Sequence, residues 1–236
     1  MEKSDIKNEK QLLNLDNQDN FDLVLIKQIK INKWKNYFKL TSHRIALLAI
    51  VLALNICLSF ISVYLFQGFA FLGFLRYEIT FISYLICLKA INLFYSSLIV
   101  IIASWMRFIG IDPMAEWVGV LTMNLSDLFA ICIFALFFYF SNIFFKNKNY
   151  EVLKTFIIAL IVSILVSFWN IILNFSFILY LYDKFYGNSS GVFLEFKTWW
   201  YAGVLFGFNI SKYMFNFIIF LSLIKPLNRI KSNSNL

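Results

Sequence analysis

The chain has 236 residues, of which 61% are hydrophobic and 14% are charged, and its formal net charge is +8. Soluble domains average ~45–50% apolar and ~25% charged residues, so this composition excludes a conventional soluble protein and predicts a membrane protein. The basic residues stand at the ends of apolar segments rather than along one polar face, which argues against a nucleic-acid partner.

Residues 1–44 predict a cytoplasmic tail that ends in a basic helix on the membrane surface. The tail begins with a polar stretch for which we expect no packed core. Segment 23–40 then combines five lysines with apolar residues at helical spacing, namely Ile31, Trp34 and Phe38. Lysines beside an anionic leaflet contribute ~1 kcal/mol each, which favours an interfacial helix. A solvated basic linker is the alternative.

Residues 45–224 predict an all-α membrane domain of six transmembrane helices, followed by a second cytoplasmic tail over 225–236. Each span needs ~20 apolar residues. The stretch 79–107 is too long for one helix and carries polar residues near its middle, so we divide it near Ile91. The predicted spans are therefore 45–66, the two halves of 79–107, 117–142, 153–181 and 201–224, the last ending before Pro226.

The distribution of Lys and Arg predicts that both termini are cytoplasmic. Cytoplasmic loops carry an excess of these residues. With six spans and the amino terminus inside, thirteen Lys and Arg residues near helix ends fall inside, whereas four fall outside. The abundance of Phe, Ile, Asn and Lys is typical of an AT-rich bacterial genome, so we expect a multi-pass protein of a bacterial cell membrane.

Polar side chains inside the spans are the candidates for function, since an ionisable group at mid-span costs ~3 kcal/mol or more unless it is paired or wet. At ~1.5 Å per residue, Asp127 and Lys212 lie at matching depths of ~15–16 Å, so an ion pair between them is one explanation of the two charges. The polar sets, each at i, i+3 or i, i+4 spacing, are Asn124 and Asp127, Asn170 and Asn174, and Asn209, Lys212 and Asn216.

The same residues also predict a pocket that opens to the outside. Asn174 and Asn209 lie ~10–12 Å below the outer surface, close to the level of Lys212. Two amides and an ammonium group at this depth would bind a polar organic molecule. The alternative is that the amides form interhelical hydrogen bonds that only hold the bundle together.

Three alanines in the first span, Ala46, Ala49 and Ala53, predict a surface on which another helix packs closely. That helix belongs either to the sixth span of this chain or to a second protein. Catalytic motifs are absent from the sequence, which has no phosphate-binding loop, no H-E-x-x-H and a single histidine, His43. No enzyme is therefore predicted. The three cysteines are scattered through apolar runs, so no metal site is predicted either.

Four segments carry a family resemblance through their order and spacing. They are RIALLAIVLALN from Arg44, FLRYEITFI from Phe74, IILNFSFILYLYDKFYG from Ile171 and FGFNISKYMFNFIIFLSLIKPL from Phe206. These segments resemble the first helix, the second-helix entrance, the helix-five ending and the closing helix of the S component of energy-coupling-factor vitamin transporters. The S component is the substrate-binding membrane subunit, and the likeness is greatest to its riboflavin-specific branch.

The resemblance implies that riboflavin is the transported ligand and that the chain has no cofactor. The family's amides and cation fall on Asn174, Asn209 and Lys212, and the segment GVLTMN adds Asn124 as a further candidate. The alanine stripe would dock on a transmembrane coupling subunit, and two ATPase subunits would supply energy. The loop 67–77 would cover the bound ligand.

Three other functions stay open at this point. The chain resembles the S component class as a whole, so another vitamin is one alternative. A stand-alone secondary carrier that uses Asp127 and Lys212 as an ion-coupled pair is another. A purely structural membrane protein would bind no small molecule at all.

Overall fold

The computed structural model describes residues 28–66, 75–112, 115–144, 150–187 and 190–233. The described chain forms two units, one up to Ser42 and one from His43 onward. It is helical, and the described residues form no β-sheet. The helices are α1 (28–38), α2 (Ser42–Phe66), α3 (Phe81–Ala90), α4 (Leu93–Trp105), α5 (Trp117–Phe144), α6 (Glu151–Leu173), α7 (Leu179–Tyr186) and α8 (Trp199–Asn233).

Helix α1 forms over residues 28–38 of the predicted surface segment, whose place on the membrane stays a prediction. Its rings of Trp34 and Phe38 stack with centroids 5.7 Å apart. Both side chains are exposed, as is Ile31, so the helix carries the open apolar face that an interfacial helix presents. Residues 23–27 of the predicted segment lie outside the described residues.

Four helices are long and apolar enough to cross a membrane by length and composition: Ser42–Phe66, Trp117–Phe144, Glu151–Tyr186 and Trp199–Leu227. The third of these is α6 and α7 joined without a break through a π-helical turn, Asn174–Ile178. Helices α3 and α4 are shorter apolar helices of 10 and 13 residues. The structure therefore supports four of the six predicted spans by length, and it forms the other two as a hairpin of short helices.

The hairpin turns where the sequence predicted a break. Helix α3 ends at Ala90, Ile91 follows, and Asn92 begins α4 by accepting a hydrogen bond from Tyr95 N at 3.0 Å. This N-cap satisfies one of the unpaired amides at the start of the new helix. The two arms then pack against α5 and α8.

Helix α8 continues beyond the residue at which the last span is predicted to end. The prediction ended it at residue 224, whereas the structure continues it through Pro226 to Asn233. Proline lacks a backbone N–H, so the carbonyl of Ser222 loses one helical partner. Helices at membrane depth tolerate such a loss when nearby groups take over the carbonyl.

An aromatic cluster fills the middle of the bundle. The ring of Phe81 lies 5.0 Å from Tyr213 and 5.6 Å from Phe217. Phe217 in turn lies 5.2 Å from Phe134 on α5. All four side chains are buried, so dense ring packing holds α3, α5 and α8 together at this level.

Candidate functional site

A cavity of about 580 Å³ lies at the end of the bundle where α5 and α8 begin and α7 ends. Its walls come from α5, α6, the π-helical turn, α7, α8 and the segment that precedes α3. Pockets of ~300–1,000 Å³ are the usual size for small organic ligands. The cavity is therefore large enough to take such a ligand.

Three of the four predicted site residues line this cavity: Asn174, Asn209 and Lys212. The fourth, Asn124, is buried on α5 but is not among the lining residues. A helix turns by ~100° per residue, so Met123 and Ser126 on the same helix reach the cavity while Asn124 points elsewhere.

A chain of polar side chains crosses one wall of the cavity and joins three helices. Ser126 Oγ on α5 makes a hydrogen bond with Asn170 Oδ1 on α6. Asn170 Nδ2 donates to Asn209 Oδ1 on α8 at 3.1 Å. Asn209 Nδ2 donates to the Leu205 carbonyl at 2.8 Å. The interhelical amide bonds that the sequence offered as an alternative to a pocket thus exist, and they form part of the pocket wall.

Asn174 differs from its neighbours because it is tied only to its own helix. Its Nδ2 donates to the Asn170 carbonyl at 2.8 Å. Within the part of the chain that the structure describes, its side-chain oxygen accepts no hydrogen bond. Asn174 also begins the π-helical turn, a feature that is frequent at functional sites. The oxygen is therefore an acceptor that can serve a donor group on a ligand.

Lys212 belongs to an ion cluster centred on Glu78. The Glu78 carboxylate accepts two hydrogen bonds from Arg107, the longer of them 2.9 Å, and its Oε2 lies 3.7 Å from Lys212 Nζ. The main-chain carbonyl of Glu78 accepts a further hydrogen bond from Asn216 Nδ2 at 2.7 Å. A contact of 3.7 Å is an ion pair without a hydrogen bond, so the Lys212 ammonium keeps N–H groups for a ligand.

The pKa of the Glu78 carboxyl reflects two opposing effects. Burial acts to raise the pKa, but the positive charges of Arg107 and Lys212 outweigh it and hold the pKa below its ordinary value. Glu78 is therefore the anion that neutralises the cations at this end of the cavity over the whole physiological pH range.

The predicted ion pair between Asp127 and Lys212 is wrong. Lys212 pairs with Glu78, whereas Asp127 Oδ1 accepts a hydrogen bond from the Tyr213 hydroxyl at 2.7 Å. The two charges are near enough to influence each other, but in the described residues no ion-pair contact joins them. Adjacent residues on α8 point ~100° apart, so Tyr213 rather than Lys212 faces Asp127.

A second ion pair lies elsewhere on the cavity wall. Arg76 Nη1 lies 3.4 Å from Asp112 Oδ1. Asp112 follows a turn at Gly110, whose φ of 84° lies in the left-handed region that favours glycine. The charged lining residues are thus balanced in number, with Arg76, Arg107 and Lys212 against Glu78, Asp112 and Glu116.

Sequence reasoning missed Glu78 and Arg107 as site residues. A signal did exist, because a hairpin with its turn at Ile91 returns Arg107 to the level of Glu78. At ~1.5 Å per residue the two arms are ~20 Å and ~24 Å long. Opposite charges at the open ends of such a hairpin face each other. Each charge is then buried together with its counter-ion, which offsets the cost of removing it from water.

The alanine stripe of α2 lies away from the cavity. Ala46, Ala49 and Ala53 are all exposed, so within the described residues the last helix, α8, does not cover them. Docking of a second protein on the stripe stays a prediction. Of the predicted lid loop 67–77, residues 67–74 lie outside the described residues.

Comparison with known proteins adds no relative to this picture. No family model matches the chain, and no curated protein matches it in sequence. The geometry of the cavity and the resemblance described above are the grounds on which a function can be proposed.

Proposed function

We propose that the chain is the S component of an energy-coupling-factor transporter, which captures a vitamin, most simply riboflavin, at the outer side of a bacterial cell membrane. The observation that carries the proposal is the convergence of Asn174, Asn209 and Lys212 on one cavity of suitable size. These are the residues that the resemblance implies for ligand binding.

The chemistry of the cavity favours an uncharged polar heterocycle. The lining has three cationic and three carboxylate side chains, so it is formally neutral. A ligand with its own carboxylate would leave the cavity with one unbalanced negative charge. Riboflavin carries no ionised group at neutral pH. Its ring offers an N–H donor for the Asn174 oxygen and carbonyl acceptors for the Lys212 ammonium.

The energy for uptake would come from partner proteins. In this proposal a transmembrane coupling subunit binds the exposed alanine stripe of α2, and two ATPase subunits drive the cycle. The chain itself acts as the binding subunit and not as an enzyme. Its amino and carboxyl termini lie in the cytoplasm, as the excess of basic residues near those helix ends indicates.

Riboflavin binding to the purified chain tests the proposal. Binding is followed through quenching of the six tryptophans in detergent. Asn174→Ala and Lys212→Ala each remove a ligand contact worth ~1–3 kcal/mol, so we expect affinity to fall about fivefold or more. Asn124→Ala is the matched control, since Asn124 is an equally buried asparagine outside the cavity. Equal affinity in all four proteins would contradict the proposed site.

The same experiment separates the alternatives. Binding of another vitamin with the same dependence on Asn174 and Lys212 would keep the class and change the ligand. A stand-alone carrier would instead take up its substrate when the chain alone is reconstituted in liposomes with an ion gradient. The geometry gives that alternative less support, because Asp127 and Lys212 are not paired.

A further inference from the structure

A second cavity lies at the opposite end of the bundle and shares no lining residue with the first. Its volume is about 280 Å³, and it is bounded by α3, α5, α6 and α8. The aromatic cluster of Phe81, Phe134, Tyr213 and Phe217 stands between the two cavities. The second cavity is therefore a separate feature that the proposed vitamin site does not explain.

The inner wall of the second cavity is apolar. It is formed by Leu85, Leu88, Phe134, Phe138, Phe220 and Ile224. The volume of this cavity falls just below the ~300–1,000 Å³ of pockets that bind small organic ligands. A wall of this kind suits a length of hydrocarbon chain better than a polar molecule.

The rim of the cavity carries two lysines that share one aromatic ring. Lys89 Nζ lies 5.1 Å from the centroid of Phe138, and Lys154 Nζ lies 5.2 Å from it. Lys89 and Phe138 both line the cavity, and cation–π contact with the Phe138 ring holds the Lys154 ammonium beside it. Both ammonium groups therefore lie within 5.2 Å of the centre of one ring in the cavity wall.

The rim keeps a net positive charge after its internal contacts are counted. Lys89 forms an ion pair with Glu151 at 2.5 Å. Lys154 donates to the neutral amide of Asn142 at 2.5 Å, so its charge is not cancelled by that contact. Each ammonium has three N–H donors, which leaves both lysines able to bind an anionic oxygen as well.

The surroundings of the cavity are exposed and apolar. It lies where α5 ends and α6 begins, and the side chains around that end of α5 are exposed and apolar, among them Tyr139 at 65% and Phe144 at 77%. Tyrosine at such a position is typical of the membrane–water interface. Basic pockets between membrane helices bind the headgroups of anionic phospholipids.

We propose that this cavity binds an anionic phospholipid, with one acyl chain against the apolar wall and the phosphate between Lys89 and Lys154. This site is independent of the vitamin site. The bound lipid ties the turn of the α3–α4 hairpin to the start of α6, next to the ion pair that already joins them.

Native mass spectrometry of the full chain in detergent tests this site. The protein is titrated with phosphatidylglycerol or phosphatidylcholine that carry the same acyl chains. We expect phosphatidylglycerol to bind at least tenfold more tightly. Lys154→Gln removes one of two cations worth ~1 kcal/mol each, so it lowers phosphatidylglycerol affinity about fivefold. Because its only described polar partner is a neutral amide, this variant keeps the Lys89–Glu151 pair intact.

Lys184→Gln is the matched control. Lys184 also lies over a phenylalanine ring, 5.8 Å from Phe185, but on α7 near the first cavity. Its replacement leaves phosphatidylglycerol affinity unchanged. Equal binding of the two lipids, or an equal loss in the Lys184 and Lys154 variants, would overturn the proposal. Displacement of the lipid by millimolar inorganic phosphate would also overturn it, because the site would then recognise an anion and not a lipid.

Discussion

The ion cluster at Glu78 makes the sharpest prediction of this structure. Glu78 holds the charges of Arg107 and Lys212 at once, and both cations are buried. Glu78→Gln keeps the size of the side chain but removes the anion. Removing one partner of a buried ion pair costs ~3–5 kcal/mol. The Glu78 side chain is 15% exposed and faces a cavity, so we expect the lower end of that range.

A loss of ~3 kcal/mol corresponds to a fall in the melting temperature of roughly 6–12 °C for a chain of this size. Thermal unfolding in detergent measures this fall. Asp112→Asn is the matched control, because the contact between Arg76 and Asp112 is longer, at 3.4 Å, and lies on the same cavity wall. We expect the control to cost less than Glu78→Gln, because its contact is longer and its cation, Arg76, is more exposed, at 19%.

The pH dependence of the melting temperature checks whether the negative charge of Glu78 is the source of the stability. The pKa of Glu78 lies below its unfolded value of 4.5, so its stabilising effect is complete above that pH and is lost as the pH falls further. The difference between the wild type and Glu78→Gln should therefore be constant from pH 5 to 8 and shrink in more acidic buffer. A Glu78→Gln protein that melts within ~2 °C of the wild type at pH 7 would refute the reasoning.

Two further predictions concern the cavity and the alanine stripe. Gly119→Val brings a Cβ within 3.1 Å of the Tyr182 hydroxyl and fills part of the cavity, so riboflavin affinity should fall at least tenfold. Gly203→Ala is the control, because its added Cβ meets nothing within 4 Å, and it should leave riboflavin affinity unchanged. Ala49→Trp should block capture of the coupling subunit in a pull-down without changing riboflavin affinity. Ile61→Trp, also at an exposed position of α2, should still allow capture. Capture by both variants would refute docking on the stripe.

The sequence was enough to predict the helical class and the turn of the hairpin. Length and polarity alone placed the break at Ile91, because hydrophobic runs and their interruptions directly determine where membrane helices stop. Depth along a helix also brought Asn174, Asn209 and Lys212 to one level, and the structure places all three on the wall of one cavity.

The depth of a residue along its helix does not determine how that helix is rotated about its own axis. Asp127 and Lys212 share a level, but Asp127 accepts a hydrogen bond from Tyr213 of α8, whereas Lys212 of α8 pairs with Glu78, which precedes α3. Asn124, a candidate that the family resemblance added, is not among the residues that line the cavity. The π-helical turn at Asn174 changes the rotation of the following residues, and no residue pattern marks a π-helical turn in advance.

The central claim is that the cavity at the start of α5 and α8 holds an organic ligand. A structure of the chain determined with riboflavin tests it most directly. The account predicts the ring inside that cavity, with a donor 2.7–3.2 Å from the Asn174 side-chain oxygen and an acceptor at the same range from the Lys212 ammonium. A ligand bound elsewhere on the chain, or a cavity that holds only water at saturating riboflavin, would contradict it.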